Sequence, residues 1–575
     1  MAEPGFWTAV QRRRLNRRQT LAGAAWGAAA LAGAGTLACG NAKKVSQGAP
    51  SATNRGASET PKPGGNLSIF VQTNYPLDPQ KVSALAQQIP GGAMSRIFKY
   101  KTSLDPATIT NHDFEPDLGL SAESPDAITW TVKLRADAKF QNTPPVNGHA
   151  VEAEDIKATF TRALDPATSN PNRAALSMMD SAQIQTPDKS TVVFKLTYPY
   201  APFRSILASP SYSWIFPREV LGGSWDPTKQ VIGSGPFILD SVQPDVAFSY
   251  KRNPGYFGAP LPYADTMRVA ITPDATQQLA QFAAGNLDEI EVRDPFSVPT
   301  VKLNNPKANM YKVLAGNAAP LYFQLGDPSS VFQDVRVRRA ISMAIDRDVV
   351  AKAVYNGDGL NVVFVPGSMG KWSLKTQDLP ADLQQYYKYN PAEAKKLLDA
   401  AGQSNLQIRF ANPFFSLGSP DTAKAVEVIN GMFTAIGIKS TIVNLNYNQD
   451  FVDAGKGMRQ GYFDKDYIVF GNTSPYTDAD DWLFSYFHSK SLSNGEHLND
   501  KTLDAMIDKQ RTLVNEDERV KAVQEIQRYL ADKLYVPSTV GSYRYEFTQP
   551  RVRNYNFSDS LGKQTEMYAK IWLAG

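Results

Sequence analysis

The sequence predicts an α/β protein with several lobes. Three observations carry that prediction. Short stretches that alternate apolar and polar residues, as half-buried strands do, recur between longer stretches with helical apolar spacing. At one point a helix, its glycine stop and a following strand stand in immediate succession, the local pattern of a βαβ unit. The chain has 575 residues, and at about 150 residues per domain that suggests three or four structural units rather than one core.

The first forty residues read as an address. Arg12, Arg13, Arg14, Arg17 and Arg18 precede the uncharged run Leu21 to Ala38, which is mostly Ala and Gly and is followed by polar sequence. That order, charged then mildly apolar then small residues, is an export signal rather than a membrane span. Asn16-Arg17-Arg18-Gln19-Thr20-Leu21 resembles a twin-arginine signal, with a general secretory signal carrying adjacent arginines as the alternative. Cys39 is the single cysteine, so there is no intramolecular disulfide framework and no multi-cysteine metal site. Its place between Ala38 and Gly40 resembles a lipid-attachment site, although Thr36 stands where such sites usually carry Leu; an unused thiol is the alternative. From Asn41 to Gly65 almost no large apolar residue occurs, and such a segment cannot offset its ordering entropy. It is expected to tether the body to a membrane through a lipid on Cys39.

The body begins after Gly65. Thr129 to Arg135 places Trp130, Val132 and Leu134 on one face, as in a half-buried strand, and Glu152 to Leu164 reads as a helix. Gly233-Ser234-Gly235-Pro236 lacks the surroundings of a nucleophile and reads as a turn into the strand Phe237 to Ser241. Val335 to Tyr355 carries one helical apolar stripe, with its arginines expected on the solvated outer face. Asn390-Pro391-Ala392-Glu393 supplies a cap, a first-turn proline and a third-position acid for a helix that Gly402 ends. Asp421 to Ile436 is a further helix stopped by Gly437, and Ile438 to Leu445 is the strand after it. Thr502 to Leu513 and Glu516 to Leu530 read as amphipathic helices, and Val536 to Tyr545 has strand composition. No internal repeat of fixed period occurs.

Charge and motif content narrow the chemistry. Lys and Arg number 60 against 56 Asp and Glu, and removing the residues before Cys39 leaves 55 of each. That balance lacks the basic excess a nucleic-acid partner requires. His112, His149, His488 and His497 make no short His-x-x-x-His pair, so a histidine-rich metal centre is not expected, while a single His ligand stays open. No G-x-S-x-G elbow, phosphate loop or H-E-x-x-H helix occurs, which weighs against familiar hydrolases without excluding a carboxylate pair. Asp478-Ala479-Asp480-Asp481 could offer oxygen ligands to a hard cation, but no calcium-loop spacing surrounds it. A helix start before Trp482-Leu483-Phe484 accounts for the same acids. The 61 aromatic residues are plentiful and could line a cleft.

Taken in order, several segments resemble the bacterial extracellular solute-binding proteins of family 5, the peptide and nickel type. They are Gly64-Gly65-Asn66-Leu67 with Leu77-Asp78-Pro79, Ile128 to Arg135 with Lys139-Phe140 and Ala153-Glu154-Asp155-Ile156, Gly233 to Phe237 with Lys251 to Gly258, and Asp334 to Ala340 with Ala344-Ile345-Asp346-Arg347. The resemblance runs from Gly64 to about Phe557. It implies a two-lobed periplasmic-binding-protein-like fold, type II of the cluster C kind, with an extra subdomain on the first lobe. The expected division is 1–38 export signal, 39–63 tether, 64–100 with 215–316 and 535–575 as the first lobe, 101–214 as the subdomain and 317–534 as the second lobe. The two crossings are expected near Gly316 to Leu321 and Leu534 to Val540.

The implied role is capture of a peptide-like or oligosaccharide solute by lobe closure and delivery to the membrane subunits of an ABC permease, by a monomer without cofactor or catalysis. A secreted hydrolase acting on the same oligomers, and a ligand sensor, are the alternatives. In peptide-binding relatives an extended second-lobe segment pairs with the ligand and ends in an Asp that neutralises its ammonium group. Here that segment is Gly471-Asn472-Thr473-Ser474-Pro475-Tyr476, with Pro475 at the Asp position, so either Asp478 or Asp480 substitutes from nearby or the ligand lacks an ammonium group. Asn412, Tyr447, Asn448, Trp372 and Tyr75 are the further ligand-contact candidates, since a cleft site needs aromatic walls and a few polar groups.

Overall fold

The computed structural model describes residues 59–73, 76–81, 91–108, 113–315, 319–414, 420–451, 457–471, 478–491, 493–557 and 565–575. The export signal, Cys39 and nearly all of the tether lie outside the described residues, as do Tyr75, Asn472, Thr473, Ser474, Pro475 and Tyr476. Among the described residues no helix is long and apolar enough to cross a membrane.

The apolar side chains sort into separate cores by chain position. One core is built wholly from residues between Leu321 and Val540. Another joins residues from Leu67 to Val313 with Val552 to Ile571, and a small third one lies around Phe282, Ile290 and Phe547. Each large core is organised by its own sheets. The first part of the chain forms a four-stranded sheet in the spatial order 66–71, 266–271, 247–252, 237–243, and a second in the order 119–123, 129–134, 191–195, 184–188. The 321–540 core surrounds a sheet ordered 321–323, 467–470, 407–414, 439–446, in which the last three strands are parallel and the first is antiparallel.

Local sequence explains the elements. In Thr129–Leu134 Trp130, Val132 and Leu134 are buried and the residues between them are not, the period of two that a one-sided strand requires. Helix Ala153–Leu164 starts at a reciprocal cap between Glu152 and Asp155. Helix Pro391–Ala400 starts where the Asn390 side chain accepts from the Glu393 N–H at 3.1 Å. Asp478 caps helix Ala479–Phe487 with Asp481 reaching back, so the acid cluster is a helix start. Gly233 and Gly235 press on the 93–94 backbone, where a Cβ would lie 2.2 Å from the Ala93 oxygen and 2.6 Å from its carbonyl carbon. Glycine is required there by close approach.

Three sequence expectations need correction. The Val335 to Tyr355 stripe is two helices, Val335–Met343 and Arg347–Tyr355, because the Asp346 side chain accepts from the Asp348 and Val349 N–H groups and starts the second. Its arginines are not all on a solvated face: Arg338 and Arg347 are buried. Arg338 donates to the carbonyls of Gln333 and Lys533, and Arg347 to those of Ser342, Tyr387 and Ser538, so each guanidinium ties distant backbone together. Burial depresses both to a pKa of about 10. Finally, Val536 to Tyr545 is regular strand only from Tyr543, within Tyr543–Thr548.

The residues before Tyr543 do something else. Thr539 N–H donates to the Ala319 carbonyl at 2.8 Å, Leu321 N–H to Pro537 at 3.0 Å and Ala315 N–H to Ser542 at 3.0 Å. Strands 309–314 and 543–548 continue this pairing. Both chain passages between the large cores therefore run side by side as one antiparallel ribbon.

Candidate functional site

The three parallel strands of the second large core end along one edge. Asn412 is paired in register with Asn444, and Ala411 with Val469; Asn412 lies inside strand Gln407–Phe414, two residues before its end, and the 447–448 turn and Gly471 follow the ends of the neighbouring strands. In open sheets of this kind the crevice beyond the carboxyl ends of the strands is where ligands bind. The sequence candidates Asn412, Tyr447, Asn448 and Gly471 are thus brought to one edge.

Their local roles differ. Gly471 donates its N–H to the Pro320 carbonyl at 2.9 Å, extending the sheet by one bond. A Cβ there would lie 1.9 Å from Cε2 of Tyr322, whose ring stacks on Tyr486 with centroids 5.9 Å apart, so packing demands the glycine. Asn412 is buried; its Nδ2 donates to Asn444 Oδ1 at 3.0 Å, and its own Oδ1 has no hydrogen-bond partner among the described residues. Trp372 is buried in the same core, with its carbonyl accepting from Gln527 Nε2 at 2.7 Å and the Arg519 guanidinium 4.7 Å from its ring centre.

Asp478, directly after the 472–477 segment, opens a buried ionic network. Arg519 holds its carboxylate on both oxygens, and Arg519 Nε donates to Gln510 Oε1 at 3.0 Å. Arg511 grips Asp480 in the same way, at 2.8 Å and 2.9 Å, and Gln510 donates to Asp480 as well. Burial works against the charge of both arginines, yet the facing aspartates overcome it and hold each guanidinium above its ordinary pKa. Both acids are therefore already neutralised by fixed cations. Neither is an uncommitted partner for a ligand ammonium.

A cavity of about 250 Å³ adjoins this network. Asp478, Trp372, Val514 and Arg519 line one side, and Trp130, Arg204 and Ser205 line the other. The residues from 200 to 205 escaped the sequence reading; their one local signal is the aromatic and proline run Tyr198-Pro199-Tyr200-Ala201-Pro202-Phe203. Elsewhere, His149, Asp155 and Glu219 bring metal-capable atoms within 4.8 Å of one another. Arg218 lies in the same group, its guanidinium Nε 3.2 Å from Asp155 Oδ1 and its Nη2 donating to Glu152 at 3.0 Å, and already brings the positive charge a cation would add.

Comparison with known proteins agrees with this architecture. Residues 113–494 match the family described as bacterial extracellular solute-binding proteins, family 5 Middle. Heme-binding protein A of Haemophilus influenzae is 25% identical over 464 residues, covering 77% of this chain and 82% of that one. The dipeptide-binding protein of Escherichia coli is 27% identical over 464 residues, covering 76% and 83%. The solved structure of HbpA2 from Haemophilus parasuis superposes with a TM-score of 0.74 at 23% identity, over 89% of this chain and all of that one, and so shares the two-lobed fold.

Proposed function

The chain belongs to the bacterial extracellular solute-binding proteins of family 5, and from that premise we propose that it captures a polar oligomer between its lobes and delivers it to an ABC permease. The second lobe is 317–534, the subdomain 101–214, and the remainder of the body the first lobe. The ligand is assigned to the edge carrying Asn412, Tyr447, Asn448 and Gly471, with Trp372 and, outside the described residues, Asn472, Thr473, Ser474, Tyr476 and Tyr75 as further contact candidates. Contacts to both lobes favour the closed form, since only differential affinity shifts such an equilibrium. The protein is exported by the twin-arginine route, anchored through a lipid on Cys39, and acts as a monomer without catalysis.

The observation that carries the choice of ligand is the commitment of Asp478 to Arg519 and of Asp480 to Arg511. With Pro475 at the usual acid position, an ammonium group would be buried without a counter-charge. Breaking a buried pair costs about 3 to 5 kcal/mol, or two to four decades in affinity. Relatives include a dipeptide-binding protein and a heme-binding protein, so the fold admits diverse cargo. Oligosaccharides and peptides with blocked amino termini are the expected ligands here. Mass spectrometry of small molecules released from the unwashed protein identifies the cargo. Calorimetric titration with di- to pentapeptides beside an oligosaccharide panel tests the class. Tight peptide binding that disappears on N-acetylation would overturn it.

A further inference from the structure

We infer that the second lobe closes onto the extra subdomain through a clasp centred on Asp478, and that Ser205 is the positioning residue that sets how much of the ligand-free protein is closed. The inference rests on the two-lobe reading above but not on any particular ligand.

Ser205 lies in helix Phe203–Ala208, which packs in the core of the first part of the chain, whereas Asp478 belongs with the 321–540 core. They are 273 residues apart, and Ser205 Oγ donates to Asp478 Oδ2 at 2.9 Å with both side chains buried. Four residues earlier, the Ala201 N–H donates to the Arg511 carbonyl at 2.6 Å. The Arg511 guanidinium stands 5.4 Å from the Tyr200 ring centre on the subdomain side and 3.7 Å from that of Phe484 on its own side. Hydroxyl, backbone amide and aromatic face thus come from the 200–205 segment, and the charged partners in these contacts come from the second lobe.

That division has a physical consequence. When the lobes part, Asp478 keeps Arg519 and Asp480 keeps Arg511, because each pair lies within one lobe. Only neutral donors leave, so opening strands no buried charge, and the clasp is reversible. A contact of the second lobe with the 215–316 part of the first lobe, Lys424 Nζ at 4.2 Å from the Phe296 ring, is weaker because Phe296 is 46% exposed and water competes for the ammonium. The dry contact therefore dominates. It also adjoins the proposed ligand segment, since Asp478 follows Tyr476 by two residues.

The test measures closure without ligand. Spin labels are placed at Lys189→Cys in the subdomain and Lys396→Cys in the second lobe, positions whose side chains are 84% and 75% exposed, in the full chain carrying Cys39→Ser. Pulsed electron resonance then reads the distance distribution. Ser205→Ala removes the donor and lowers the closed-to-open ratio by roughly tenfold, the order expected for a hydrogen bond to a charged group. Ser205→Asp sets two carboxylates face to face and lowers it further. Ser205→Asp combined with Asp478→Asn returns a carboxylate to Arg519 from the opposite side and restores closure. Melting followed by circular dichroism checks that each variant is folded. A folded Ser205→Ala protein with an unchanged distribution overturns the clasp, and so does a swap variant no more closed than Ser205→Asp alone. Neither result depends on the ligand class, and failure to find a bound oligomer leaves the closure measurement standing.

Discussion

Arg519 donates to both carboxylate oxygens of Asp478, with Nη1 3.0 Å from Oδ2, and both side chains are buried. A pair of this kind is costly to break and cheap to replace.

Asp478→Asn is expected to destabilise the protein by about 3 to 5 kcal/mol, because Arg519 then keeps a buried charge without an anion. The paired replacement Asp478→Leu with Arg519→Met recovers most of that loss. Urea unfolding of the two variants beside the parent decides the point: equal losses would show that the charge pair is not the source.

Gly471→Ala places a methyl group 1.9 Å from Cε2 of Tyr322. Overpacking of this size costs about 1 to 3 kcal/mol. Tyr322→Leu in the same chain relieves the clash, so the double variant should be more stable than Gly471→Ala alone in thermal unfolding. Additive losses would place the cost elsewhere.

Glu496 is fully buried, and burial pushes its carboxyl up to a pKa of about 8 from 4.5. The folded state therefore binds a proton that the unfolded state releases between those two values. Stability from the neutral carboxyl is fully present below about pH 4.5 and is lost as pH rises through 8. Glu496→Gln keeps a neutral group at every pH and should gain on the parent by a few kcal/mol, on the order of 4, between pH 5 and pH 8. Urea midpoints at both pH values check this, and parallel pH profiles would refute it.

Replacing Arg17 and Arg18 together by Lys is expected to block appearance of the processed chain outside the cytoplasm, because Lys cannot reproduce paired guanidinium recognition. The intact mass of the membrane-bound parent should correspond to acyl chains on a polypeptide beginning at Cys39. A start elsewhere without lipid would remove the anchor.

What the sequence made legible was local. Asn390, Glu152 with Asp155, and Asp478 with Asp481 mark helix starts within four residues, and Trp130, Val132 and Leu134 declare their strand by alternation alone. Gly471 entered only through the family resemblance, and Asn412 lies inside a strand that runs on to Phe414. Burial of Arg338 and Arg347 was not legible, because their partners include the carbonyls of Lys533 and Ser538, almost two hundred residues away. The break at Asp346 was hidden by apolar spacing that continues across it. Ser205 was invisible for the same reason as Arg338: its one informative contact depends on how two cores are set against each other.

The ribbon that joins the two cores also governs how they can move. A door hung on one cord can swing and spin, whereas two cords stitched to each other resist spinning and leave only the swing. Hydrogen bonds from Thr539 to Ala319 and from Leu321 to Pro537 are such stitches. In the closure proposed above, each half is therefore expected to follow a single arc and to meet the other in the same register. A slight change in curvature at the ribbon would then become a wide gap or a tight seal at the far lip.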